Sequence, residues 1–333
     1  MLSAFITGLA GLVLDAGEAA VLRAARPCGV ILFARNIADP EQVRRLSEAA
    51  QSAVGSEILV LIDQEGGRVQ RLRPPHWRQL PPAAAYGRLH AGEACRTARL
   101  AAQLMAAELR ALGINTNCAP VLDVPIPGSH GVIGDRAYGV DPQQVSALGL
   151  AVAEGHIAAG VLPVIKHMPG HGRATKDSHR ELPVVTVERA ELERTDFVPF
   201  RACAGLPAAM SAHVVFEAID AGSPASTSAL VTTEVIRGAI GFDGLLMSDD
   251  LGMQALSGTI AQRAQAVLTA GSDLALACSG DLADTEAVAA VAPPLAGASR
   301  RRFERACATF KQQQAFDIAE AESCLAQALR AQA

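Results

Sequence analysis

Short, mostly apolar runs alternate with longer stretches of helical periodicity along nearly the whole chain. The runs are Ala4–Thr7, Gly29–Phe33, Ile58–Ile62, Asn115–Ala119, Leu162–Lys166, Ala208–Ala212, Leu245–Ser248 and Asp273–Ala277. Each is four or five residues long, the length and pattern of a strand buried on both faces. Between them the spacing predicts helices over Glu18–Ala25, Pro40–Val54, Gly92–Leu112, Pro142–Ala159, Val187–Ala204, Thr232–Ile240 and Thr259–Ala270. Pro40 and Pro142 each follow an Asp, so proline falls in the first helical turn behind a capping carboxylate. Gly113, Gly160, Gly241 and Gly271 stand just past helical runs, where a left-handed terminating residue is wanted.

Eight such strand–helix units predict a single-domain α/β fold, a (β/α)8 TIM-type barrel. A doubly wound open sheet is the alternative. The barrel is expected over residues 1–297, and the polar, Gln/Ala-rich stretch 298–333 as a C-terminal helical extension packed on it.

Composition narrows the function classes. Half of the 333 residues are hydrophobic, 19% are charged and only 4% are aromatic, which suits a soluble enzyme packed with small side chains. The net charge is -5 with no basic run or stripe, so nucleic acid is a poor partner. No apolar stretch reaches the roughly 20 residues of a membrane span. The apolar segment Ala4–Leu14 lacks a preceding Lys or Arg, and Asp15 and Glu18 follow where a cleavage site belongs, so it reads as a buried strand and not a signal peptide. The seven cysteines form no spaced framework; Cys28, Cys118 and Cys278 sit in strand-like runs as small hydrophobes, pointing to a reducing, cytoplasmic setting.

In a barrel the residues just past each strand form the active face. Here they are polar at five successive positions. The third strand leads into Asp63-Gln64-Glu65-Gly66-Gly67-Arg68-Val69-Gln70-Arg71, and the fourth runs to Asp123 with Gly134-Asp135-Arg136 beyond. The fifth leads into Lys166-His167-Met168-Pro169-Gly170-His171-Gly172 and then Asp177-Ser178-His179. The sixth ends at His213 and the seventh in Ser248-Asp249-Asp250. Desolvating unpaired charge costs several kcal/mol, so five charged strand ends at once point to function and not stability.

A carboxylate such as Asp249, closing a rigid strand, suits attack on or stabilisation of a cationic sugar carbon. Asp63, Arg71, Arg136 and Lys166 suit hydroxyl and acyl oxygens. The loop after the fifth strand supplies a proton donor, and Asp177 lies close enough to His179 to fix its tautomer.

These strings resemble the family 3 glycoside hydrolases, in particular the single-domain bacterial β-N-acetylglucosaminidases of peptidoglycan recycling. The resemblance covers about residues 5 to 290 in the same order, including Gly241-Phe242-Asp243-Gly244-Leu245-Leu246-Met247-Ser248-Asp249-Asp250-Leu251. It implies a cofactor-free, metal-free retaining enzyme that removes terminal β-linked GlcNAc from muropeptides or chitooligosaccharides. Asp249 is then the nucleophile of a covalent glycosyl-enzyme, His179 the acid/base and Asp177 its partner. Asp63, Arg71, Arg136, Lys166 and His167 fall on the family's sugar-binding positions. Two departures stand out: Met168 replaces the usual Phe, and Arg173 replaces a common Asp on the acid/base loop.

Other chemistries remain open at this stage. His167, His171, His179, His213 and Asp249 offer the ligands of a metal-dependent amidohydrolase, although Lys166 crowds a dication. A neutral histidine acid/base also admits phosphate, so a GlcNAc phosphorylase is the closer alternative. A non-catalytic sugar-binding barrel has no need of both Asp249 and the Asp177–His179 pair. No Gly-x-Ser-x-Gly elbow is present for a serine hydrolase. His171 is expected to order its loop. Glu65 and Asp250 are the next proton donors should His179 not be one, and Asp250 is the second choice of nucleophile.

Overall fold

A computed structural model describes residues 1–331. Eight parallel strands, β1 (Ser3–Gly8), β2 (Pro27–Leu32), β3 (Leu59–Ile62), β4 (Thr116–Asn117), β5 (Leu162–Met168), β6 (Ala208–Ser211), β7 (Leu245–Asp250) and β8 (Leu274–Ala277), pair in sequence order. β8 pairs back onto β1, with Phe5 opposite Ala275, so the sheet is a closed barrel and the open-sheet alternative falls.

Strand β4 is shorter than the apolar run predicts because two asparagines stand in for its backbone. The Asn115 side chain accepts from the Val60 N–H at 2.8 Å and donates to the Ile58 carbonyl at 2.9 Å. Asn117 does the same to both backbone groups of Gln64, at 3.0 and 2.9 Å. Each amide copies a peptide group and carries the β3–β4 ladder past the strand ends. Strands β5 and β7 run two residues longer than predicted, which brings His167 and Asp250 onto the sheet.

Ile6, Leu61, Val164, Met210, Met247 and Leu276 fill one buried cluster with Phe303, Ala306 and Cys307 of the helix Gly297–Cys307. The helices over Pro40–Val54, Ala91–Ala111, Pro142–Ala158 and Ile260–Thr269 lie where periodicity places them, and Asp39 and Asp141 cap theirs. The predicted helix Val187–Ala204 is instead two, Arg189–Arg194 and Phe197–Ala202. Thr195 and Asp196 interrupt it, their side chains drawn to Arg173, and Pro199 has no N–H to continue a helical ladder. The stretch predicted over Thr232–Ile240 is wound as a π-helix, Val231–Ala239. Helices Ala83–Gly87 and Leu282–Ala289, and a small parallel pair, Val184–Val185 with Val215–Phe216, lie outside the elements the periodicity predicts.

The last helix, Ile318–Ala331, buries Ala321, Leu325 and Ala328 in the cluster that holds Ala98, Ala101 and Ala102 of helix Ala91–Ala111. Among the described residues no helix is long and apolar enough to cross a membrane, and all seven cysteines are free thiols.

Candidate active site

A cavity of about 690 Å³ opens at the carboxyl ends of the strands. All eight residues singled out from the sequence line it: Asp63, Arg71, Arg136, Lys166, His167, Asp177, His179 and Asp249.

One wall is a row of alternating charges. Lys166 Nζ, at the end of β5, lies 2.9 Å from Asp63 Oδ1 and 2.6 Å from Glu65 Oε1. Arg71 Nη2 reaches the other Asp63 oxygen at 3.2 Å, and Arg136 holds both oxygens of Glu65 at 2.8 Å. Burial pushes both carboxyls up, but Lys166 with Arg71 or Arg136 outweighs it, so Asp63 and Glu65 sit below the usual carboxylate range. The Lys166 ammonium, though buried, is raised by the same two carboxylates. Glu65 is therefore fixed as an anion and cannot serve as the reserve proton donor. The sequence undervalued it: its signal was present in the string after β3, but its two cations come from β5 and from the turn Gly134–Arg136.

Lys166 and His167 are consecutive, and both side chains line the cavity. His167 is backed by Asp123, whose Oδ2 lies 2.7 Å from Nδ1 while Oδ1 accepts the N–H groups of His167 and His171, at 3.2 and 2.7 Å. Asp123 is fully buried. Burial opposes its charge, yet His167 and His171 hold it below the usual range. The sequence showed an Asp in the run beyond the fourth strand but not what it holds.

Asp249 projects from β7 with Oδ1 accepting the Asp250 N–H at 2.8 Å. Burial raises its carboxyl, but His167, His213, this N–H and Lys166 bring it down to about 2, so it is an anion at neutral pH. Its neighbour differs. Asp250 Oδ1 accepts from Gly252 and Cys278 N–H at 2.9 and 3.0 Å, and burial raises its carboxyl.

On the loop after β5, His179 Nδ1 lies 2.8 Å from Asp177 Oδ1, which also accepts the His179 N–H at 3.0 Å. Asp177 resists protonation: its partial burial raises it, and the two bonds from His179 bring it below its ordinary value. The His179 side chain is 64% exposed, so its ring reaches the cavity from the solvent side.

The remaining histidines are occupied. His171 Nε2 is 2.9 Å from Ser178 Oγ, tying the loop to its own base. His213 is buried, with Nδ1 2.6 Å from Ser226 Oγ and Nε2 3.0 Å from the Asp250 carbonyl. His171 Nε2 and both ring nitrogens of His213 thus have protein partners, and among the described residues no three His, Cys, Asp or Glu side chains are grouped to hold a metal.

Residues 11–306 match the family model described as the glycosyl hydrolase family 3 N-terminal domain. The chain is 43% identical over 286 residues to the β-hexosaminidase of Alkalilimnicola ehrlichii, covering 84% of this chain and 81% of that one. It is 44% identical over 264 residues to the β-hexosaminidase of Thiobacillus denitrificans, covering 77% and 73%. Among solved structures, NagZ of Neisseria gonorrhoeae in complex with N-trifluoroacetyl-D-glucosamine superposes with a TM-score of 0.87 at 30% identity, over 100% of this chain and 98% of that one. A family 3 β-N-acetylglucosaminidase from Paenibacillus gives 0.85 at 32% identity, over 98% and 66%.

Proposed function

The chain belongs to glycosyl hydrolase family 3, and from that premise we propose how its cavity cleaves a terminal β-linked N-acetylglucosamine with retention of configuration. It is a β-N-acetylhexosaminidase acting on small GlcNAc-containing carbohydrates. The observation that carries the mechanism is the pairing, in one cavity, of an ionised Asp249 on a rigid strand with a carboxylate-backed His179 on a loop.

Asp249 attacks the anomeric carbon; the C–O bond to the aglycone breaks and an acyl-glycosyl bond forms. The leaving oxygen takes a proton from His179 Nε2, since Asp177, an anion, holds the proton of Nδ1. Water then attacks the same carbon, gives its proton to His179 Nε2, and releases Asp249. Asp63, Arg71, Lys166 and His167 bind hydroxyl and acyl oxygens at the sugar site. Arg136 faces the same cavity with its guanidinium engaged by Glu65, so its contribution to the sugar is through the charge row it completes. No step requires a metal or cofactor.

We read residues 1–297 as the catalytic barrel and 298–333 as an extension packed on it. Muropeptides or chitooligosaccharides in the cytoplasm are the substrates and place this reading favours, and the seven free thiols support the compartment. Hydrolysis is favoured over phosphorolysis on the relatives' names; equal product in phosphate and phosphate-free buffer checks it.

The test of the nucleophile is a 5-fluoro N-acetylglucosaminyl fluoride, whose leaving group departs readily and whose fluorinated sugar leaves the enzyme slowly, followed by mass spectrometry of peptides. The sugar is expected on Asp249. A label on Asp250, or on no residue, overturns the assignment.

A further inference from the structure

Arg173 departs from the pattern of the family, and the structure gives the replacement a full set of partners. Its Nε lies 2.6 Å from Asp196 Oδ2, and its Nη2 lies 3.0 Å from Glu191 Oε1 and 2.8 Å from Thr195 Oγ1. The Arg173 side chain is 10% exposed and that of Asp196 only 2%, so this is an interior contact and not a surface ion pair. Asp196 also lies against the chain at Gly170, where an added Cβ would meet its Cβ at 3.1 Å. Two residues on, Gly172 packs its α-carbon against the backbone of Val124. The first turn of the loop is thus clamped between the fourth strand's extension and the break between helices Arg189–Arg194 and Phe197–Ala202.

Beyond that clamp the loop is loosely held. Thr175, Lys176, His179, Arg180 and Glu181 are exposed. Ala174, next to Arg173, is buried and its carbonyl accepts the His130 N–H at 2.8 Å; further out the tip is tied back at Ser178, through His171 Nε2 and through its carbonyl, which accepts from the Ala255 N–H at 3.3 Å. His179 therefore rides six residues past Arg173 on a segment whose position is set at its root. Displacing a reacting group by about an ångström costs ~100-fold in rate, so an anchor at the root has leverage on proton transfer.

We propose that Arg173 is a positioning residue that aims His179 at the leaving-group oxygen, through its three-pronged grip on Asp196, Glu191 and Thr195. This rests on the reading of His179 as the acid/base. The consequence is selective: aglycones that depart only with protonation need the anchor, and aglycones that depart unaided do not.

The experiment is a leaving-group series of aryl and alkyl N-acetyl-β-glucosaminides, with kcat/KM measured for the wild type and for Arg173→Ala, Arg173→Lys, Glu191→Gln, His179→Ala and the Arg173→Ala/His179→Ala double variant. For Arg173→Ala the expected loss is about 10–100-fold on the poorest leaving groups and little on the most activated aryl ones, steepening the dependence as His179→Ala does. Arg173→Lys, which keeps one of the three contacts, recovers part of the loss. The double variant is no slower than His179→Ala alone on poor leaving groups, since both changes act on one step. Glu191→Gln, at a side chain 35% exposed, steepens the series by a few-fold and keeps the test open if Arg173→Ala does not fold. If His179→Ala steepens the series and neither Arg173→Ala nor Glu191→Gln does, the positioning role is overturned and the acid/base stands. A flat response in His179→Ala overturns both together. Equal losses across the series for Arg173→Ala, with a lowered melting temperature, mark a merely structural contact and overturn the proposal.

Discussion

Asp123 Oδ2 lies 2.7 Å from His167 Nδ1, with the carboxylate sealed from solvent beneath the cavity-lining ring. Held below the usual carboxylate range, Asp123 can only accept hydrogen bonds, so His167 Nδ1 carries a proton directed at it. The same carboxylate takes the His171 N–H, so one buried group holds both a cavity-lining ring and the root of the loop that carries His179.

Asp123→Asn keeps the size of that group and removes its charge. An amide cannot accept at both ends, so one buried N–H loses its partner, at a cost of about 1–3 kcal/mol. Thermal melting is expected to show that loss, and kcat/KM to fall as the ring and loop relax. A variant with wild-type melting and kinetics would contradict the role given to this carboxylate.

Lys166 and Arg71 both contact Asp63, but they sit in different surroundings. The Lys166 side chain is 3% exposed and balances two carboxylates, whereas Arg71 is 26% exposed and serves one. Lys166→Ala leaves Asp63 and Glu65 facing each other in the interior, and about 3–5 kcal/mol of stability should go with it. Arg71→Ala should cost about 1 kcal/mol or less and show mainly in kinetics, with KM raised and kcat lowered. Paired denaturant titrations and rate measurements separate the two; equal destabilisation would mean that Lys166 is not the keystone of the row.

Acid should unfold the protein late. Asp63, Glu65, Asp123 and Asp249 are all held lower in the folded protein than in the unfolded chain. Groups shifted that way stabilise fully above their unfolded value of about 4 and lose their contribution as pH falls through the folded value. Asp250 and Asp196, raised by burial, work in the opposite sense. The melting temperature is expected to be level from pH 7 to about 5 and to fall steeply below about 4. With Asp249 down at about 2, kcat/KM at pH 5 should not be limited by protonation of the nucleophile. A stability loss beginning near pH 6 would show that the four carboxylates are not paired as described.

Gly172→Ala tests the root of the loop without touching charge. A Cβ there would run into the carbonyl oxygen of Val124, and a backbone atom cannot swing aside as a side chain can. The loop must shift, so activity on poor leaving groups should fall well below that of the neighbouring surface variant Lys176→Ala. Equal activity of the two variants would remove the loop root from the account.

The sequence by itself determined the alternation of strands and helices, the barrel they close and the string of polar strand ends. These are local: period, length and capping residues such as Asp39 and Asp141 act within a few positions and need no knowledge of the rest of the chain. The eight predicted site residues, all of which line the cavity, were legible for the same reason, since a barrel sends every strand end to one face. What the sequence left undecided is what each charge touches. Glu65 reads as a spare acid until Lys166 and Arg136, distant in the chain, arrive on either side and fix it as an anion. Asp196 reads as one more helical residue until Arg173 draws it inward and the predicted helix breaks there. Asn115 and Asn117 read as part of a strand, and only the neighbouring β3 turns their amides into its continuation. Periodicity places a side chain on a face, but its protonation state and role depend on partners that only the closed barrel brings within about 3 Å.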